Sequence, residues 1–135
     1  MDYGIEVITL PVADVDRALE FYVERVGFTL DVDYRPSDEF RVVQLTPPGS
    51  ACSVHLGQGI TGAVRDTYLV VSDIQAVHQE LSDRGVPVSP IRHKSTVDEW
   101  QGGFAPGVDP QRRNYASFLD FADPDGNTWI VQERR

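Results

Sequence analysis

The chain has 135 residues, 41% hydrophobic and 24% charged, which is enough apolar material for one core without metals or disulfide staples. Twelve Lys and Arg stand against 21 Asp and Glu, and the formal net charge of −9 argues against binding nucleic acid, which needs a basic face, while leaving attraction of cationic small molecules open. Cys52 is the single cysteine, no basic-then-apolar leader opens the sequence, and no apolar run approaches the roughly 20 residues that span a bilayer, so a cytoplasmic protein is expected, with no membrane partner.

In chain order, residues 5–10 suit a strand. Asp14 is placed to cap a helix over residues 15–26, where Val15, Ala18, Leu19, Tyr22 and Val26 recur at helical spacing and Gly27 ends the run. Strand-like runs follow at 29–34, 40–46 and 52–56, with the turn Pro47-Pro48-Gly49-Ser50 between the last two. The pattern then recurs. A strand at 67–71 leads to Asp73, which can cap a helix whose Ile74, Val77, His78 and Leu81 share a face, and Gly85 ends it as Gly27 ends the first. Strands are expected at 88–93, 116–122 and 128–133, the last two joined by Asp123-Pro124-Asp125-Gly126-Asn127. Each half reads β-α-β-β-β, so one domain over 1–135 is expected to contain two modules, about 4–60 and about 66–135. Residues 94–114 break the symmetry. They carry Gly102, Gly103, Pro106, Gly107 and Pro110 together with Trp100 and Phe104, and suit either a lid over a ligand or a loop packed onto the sheet.

Two segments carry a family resemblance. Leu10-Pro11-Val12-Ala13-Asp14, with Ala18-Leu19-Glu20-Phe21-Tyr22 and Gly27-Phe28, resembles the first-module signature of the vicinal oxygen chelate superfamily, which spans glyoxalases, bleomycin-resistance proteins and dioxygenases. Asp123-Pro124-Asp125-Gly126-Asn127 resembles its closing hairpin, and the repeat between them fits as well. The resemblance implies an α+β fold in which two βαβββ modules form a curved-sheet cleft. It also implies four metal-ligand positions in the metalloenzymes, which fall here at Val7, near His55, at Asp66 and at Ile130. Val7 and Ile130 cannot bind a metal. A catalytic divalent ion commonly takes about three protein ligands, so neither a metal nor another cofactor is expected. His78, expected at the surface, and His93, at a strand end, lie off the family's ligand positions.

Other catalytic patterns are thin. The sequence has no Gly-x-Ser-x-Gly elbow, Gly-x-Gly-x-x-Gly run or P-loop lysine, and Cys52 has no activating neighbour in sequence. His55 with Asp66 is either an imidazole–carboxylate general base or a pair that only orients a ligand. Strand alternation extends each ligand position along its face. Val7 brings Ile5 and Thr9, Asp66 brings Tyr68 and Val70, and Ile130 brings Thr128 and Gln132. Phe118 and Asp120 are placed in the cleft, with Leu119 and Phe121 against a helix and Trp129 in the core. Trp100, Phe104 and Tyr115 are candidates to close the cleft.

An aromatic, mostly apolar pocket with Thr9, His55, Asp66 and Asp120 as polar groups suits a flat hydrophobic or cationic molecule. In character the chain resembles the metal-free bleomycin-resistance branch, whose members bind a drug without chemistry, as homodimers. The resemblance therefore implies a metal-independent protein that sequesters an aromatic or cationic natural product, of the antibiotic self-resistance type. Two alternatives stand beside it. One is a superfamily enzyme, a lyase or dioxygenase with unrecognised metal ligands, or an isomerase or hydrolase using His55 and Asp66. The other is a purely structural or regulatory dimer.

Overall fold

The computed structural model describes residues 1–95 and 103–135. Its contacts divide the chain into two compact units, residues 1–64 with 123–127, and residues 65–122 with 128–135.

In the first unit, β1 (Val7–Val12) leads to Asp14, whose carboxylate accepts from the Arg17 N–H at 3.1 Å and opens α1 (Val15–Leu19). Ile5 precedes the strand and is exposed, because β1 starts two residues later than the alternating pattern suggests. The helix read as one regular α-helix over 15–26 changes pitch: Glu20–Val26 winds as a π-helical segment, closed where the Gly27 N–H meets the Tyr22 carbonyl at 2.8 Å with Gly27 at φ 92°. This widened turn buries both Phe21 and Tyr22. Their rings meet edge-on at 5.1 Å, and Tyr22 stacks on Phe28 at 5.5 Å. Three strands follow, β2 (Thr29–Ser37), β3 (Phe40–Thr46) and β4 (Ser53–Gln58), in the sheet order β1-β4-β3-β2, with β1 parallel to β4 and the other pairs antiparallel. Leu10, Val12, Val43, Leu45, Val54 and Leu56 bury one face of this sheet, and Val15, Ala18, Phe21 and Tyr22 are buried on the helical segment.

The Asp123–Asn127 turn belongs to this unit through its side chains. Asp123 Oδ2 accepts from the Tyr22 hydroxyl at 2.6 Å and from Asn127 Nδ2 at 2.7 Å. Asn127, fully buried, also donates to the Pro11 carbonyl and accepts from the Val64 N–H, both at 2.9 Å. Asp125 Oδ1 takes the Ala13 N–H and the Arg17 guanidinium, each at 3.0 Å. The motif is thus a hairpin turn whose carboxylates and amide also satisfy backbone groups on β1 and ahead of α1.

In the second unit, β5 (Thr67–Val71) leads to Asp73, which accepts from the Ala76 N–H at 3.2 Å and caps α2 (Ile74–Asp83); Gly85 follows at φ 80°. The expected strand at 88–93 shrinks to a single bridge between Val88 and Phe121 and a later strand, β6 (Arg92–Lys94). Pro87 and Pro90 have no N–H to give a ladder, which accounts for the delay. A strand absent from the expected pattern, β7 (Phe104–Pro106), lies inside the segment read as a loop. With β8 (Ser117–Ala122) and β9 (Thr128–Glu133), the sheet order is β5-β9-β8-β6-β7, and β5 runs parallel to β9. Ile74, Leu81, Val86, Leu119, Phe121, Trp129 and Val131 form the core, with Trp129 stacked on Phe121 at 6.2 Å, so Trp129 packs inside as the alternation requires. Glu133, fully buried, accepts from Arg112 Nε at 2.9 Å and Nη2 at 2.7 Å and from the Ile74 N–H at 3.0 Å, an anion set at the first turn of α2. Among the described residues no helix is long and apolar enough to cross a membrane.

Candidate functional site

The pairing register of the second sheet builds one face in rows. Tyr68, Ile130 and Asp120 form one row; Val70, Gln132, Phe118, Arg92 and Pro106 form the next; Lys94 then pairs with Phe104. The opposite face carries Leu119, Phe121, Trp129 and Val131, all buried. Strand alternation therefore sorts Tyr68, Val70, Phe118, Asp120, Ile130 and Gln132 onto a common face, as the sequence implies.

This face is open. Tyr68 is 56% exposed, Val70 55% and Phe104 49%. Phe118 differs from expectation: it is on the face but buried, because Phe104 meets it edge-on at 5.5 Å and Arg92 lies over it at 5.9 Å. Phe104, a candidate for either a lid or a loop packed onto the sheet, is held in β7 by the pairing of that strand with β6. Trp100, a further candidate of that segment, lies outside the described residues. Tyr115 sits just before β8 at φ 63°, with its N–H on the Glu133 carbonyl at 2.8 Å and its hydroxyl 3.5 Å from Arg134 Nη1.

Two residues of this face escape the sequence reading. Arg92 places its guanidinium 5.1 Å from the Phe104 ring centre and donates Nη1 to Asp120 at 2.6 Å; Lys94 Nζ lies 4.3 Å over Phe104. Their alternation about His93 is a period-two signal, but a strand placed at 88–93 stops short of Lys94 and leaves the face of Arg92 unassigned. His93 itself bonds the Gly107 carbonyl through Nδ1 at 2.9 Å.

The remaining candidates fall as follows. Val7 pairs with Ser53 and is half-buried. Thr9, His55 and Gln44 form a row across the first sheet, where His55 Nε2 lies 3.0 Å from Gln44 Oε1 and a small groove of about 210 Å³ opens beside Thr9, Val42 and His55. Asp66, at φ 60°, accepts weakly from the Thr128 hydroxyl at 3.3 Å, and that hydroxyl accepts the Asp66 N–H at 2.7 Å. His55 and Asp66 thus each hold a partner within their own unit. A larger groove of about 520 Å³ at the start of α1 is polar, lined by Asp14, Asp16, Asp38, Glu39, Arg35 and Arg41. Arg41 forks onto Asp33 with two 2.9 Å bonds, which hold the Asp33 carboxyl below its ordinary range. Cys52 is half-buried, with Sγ 3.5 Å from the Ser53 carbonyl.

The donor set does not suit a divalent cation. Val7 and Ile130, which the resemblance places at two ligand positions, carry only hydrocarbon, and among the described residues no group of three or more His, Cys, Asp or Glu could hold an ion.

The family model described as Glyoxalase/Bleomycin resistance protein/Dioxygenase superfamily matches residues 4–131. Among solved structures, the chain is similar to TnmS3, an antibiotic binding protein from Streptomyces sp. CB03234, at 28% identity over 99% of this chain and 98% of that one, with a TM-score of 0.74. It is similar to a glyoxalase/bleomycin resistance protein from the same organism, at 28% identity over 96% and 99% of the two chains, TM-score 0.69. A superfamily member from Sphaerobacter thermophilus DSM 20745 shares 25% identity over 98% of both chains, TM-score 0.71. No curated protein matches the chain.

Proposed function

Because the chain belongs to the glyoxalase/bleomycin resistance protein/dioxygenase superfamily, we propose that it is a metal-independent binding protein, a cytoplasmic homodimer that sequesters a flat aromatic natural product of the antibiotic type. One observation carries this reading. The second sheet leaves Tyr68 and Val70 exposed on edge strand β5 and Phe104 exposed on the opposite edge strand β7 of the same face, with polar side chains between them that can orient a ligand. A folded chain rarely exposes several large apolar groups on one face unless another molecule covers them, and aromatic rings favour a flat partner. The likeness to TnmS3, an antibiotic binding protein, supports the same class of ligand. The hydrocarbon at Val7 and Ile130 weighs against metal-assisted chemistry.

The test is calorimetric titration with 9-anthracenemethanol, a flat neutral aromatic, on the parent and on Tyr68→Ala and Phe104→Ala. Truncating a buried aromatic contact costs on the order of 2 kcal/mol, so the variant whose ring the probe covers should bind roughly 30-fold more weakly, and mass spectrometry should recover the probe unchanged. Absence of binding, or binding that both truncations leave intact, overturns the reading. For assembly, light scattering should give about twice the 15.1 kDa chain mass; a monomer that binds the probe refutes the dimer.

A further inference from the structure

We propose that Arg92 anchors the ligand and that the site selects flat aromatics bearing an ionised acid, a carboxylate or phenolate. This rests on the second-sheet face being the ligand site. Attraction of cations, open from the net charge of −9, is reversed locally. Arg92 and Lys94 gather at the Phe104 end of the face, with Arg134 just past the end of β9. Among the described residues, two acids lie on this face of the sheet. Asp120 is tied to Arg92 at 2.6 Å. Asp66, beside Thr128, lies two rows along and three strands across the sheet, roughly 19 Å from Arg92 by strand spacing. That separation exceeds the ~8 Å over which exposed charges act at physiological salt, so Asp66 does little to offset the cations.

Asp120 orients Arg92 without using it up. A guanidinium carries five N–H donors in a fixed planar fork. Asp120 takes Nη1, and among the described residues Arg92 makes no other hydrogen bond. Its side chain is 30% exposed, and the guanidinium lies over the Phe104 and Phe118 rings. A molecule stacked on the same aromatic face would meet the unused edge of the fork, where an anionic oxygen gains charge-assisted bonds and an ammonium meets like charge.

Three anthracenes substituted at one carbon separate the possibilities: 9-anthracenecarboxylate, 9-anthracenemethanol and 9-(aminomethyl)anthracene, each titrated calorimetrically at pH 7.5. The carboxylate should bind at least about tenfold more tightly than the alcohol, and the amine most weakly. Arg92→Met, which keeps an apolar stem over the rings, should bring the carboxylate down to the alcohol's affinity and leave the alcohol nearly unchanged. Arg92→Lys, with charge but no fork, should restore only part of the preference. Equal binding of all three, or a carboxylate preference that survives Arg92→Met, overturns the anion selection while the aromatic-binding reading stands. Failure of all three to bind overturns that reading and this inference with it.

Discussion

Replacing Glu133 by glutamine keeps the shape of a fully buried side chain and removes its charge. In the native chain the carboxylate accepts three bonds, two from Arg112 and one from the Ile74 N–H that opens α2. Glutamine keeps one acceptor oxygen and turns an NH₂ toward a donor. Breaking a buried charge pair costs about 3–5 kcal/mol, but Arg112 is 22% exposed and can be rehydrated, so the loss falls below that range, to the roughly 2 kcal/mol of a charged hydrogen bond. Unfolding entropy for 135 residues is about 0.28 kcal/mol/K, so Tm should fall by roughly 7 °C at pH 7, read by far-UV circular dichroism. The pH dependence has a definite sign. The Arg112 bonds, with the Ile74 N–H and the charge of Arg112, outweigh burial and hold the Glu133 carboxyl below its usual range. Its contribution is full above the unfolded glutamate value of about 4.3 and is lost as pH falls through the lower folded value. The gap between parent and Glu133→Gln should therefore be constant from pH 6 to 8 and close in acid. A Tm change under about 1 °C at pH 7, or a gap that persists after Glu133 has titrated, refutes the reasoning.

Two further outcomes follow from the same ties. Asn127→Ala strands the Pro11 carbonyl and the Val64 N–H and should cost about 3 kcal/mol, a fall of roughly 10 °C in Tm by thermal denaturation. Asp109→Asn should destabilise the chain at neutral pH in urea titration, with the difference vanishing between about pH 4 and about 2, because hydrogen bonds from Arg113 pull the Asp109 carboxyl down to about 2.

The fold is legible where a local rule and a tertiary need agree. Asp14 and Asp73 cap helices at their expected positions, Gly27 and Gly85 adopt positive φ after them, and period-two alternation sorts β5, β8 and β9. It is illegible where the determinants are long-range. The π-helical winding after Leu19 accompanies burial of Phe21 and Tyr22, and the Tyr22 hydroxyl reaches an aspartate 101 positions away. In β6, Pro87 and Pro90 delay the pairing, and the partner β7 has only three residues in a glycine-rich segment, too few to show a period. The same failure hides the cations of this sheet face. Arg92 and Lys94 take their face from pairing with β7 and β8, so a strand placed early leaves that face unassigned. The role of Asp123–Asn127 is half visible: the turn residues announce a hairpin, but the bonds to Pro11, Ala13 and Val64 depend on the tertiary fold.

The most direct measurement of the central claim is a ¹⁵N-resolved NMR titration of the whole chain with 9-anthracenemethanol. The largest saturable shifts should fall on Tyr68, Val70, Phe118, Ile130 and Gln132, the backbone of one sheet face. Shifts centred on the polar groove at Asp14, Asp38 and Arg41, or no saturable shifts at all, would contradict the account.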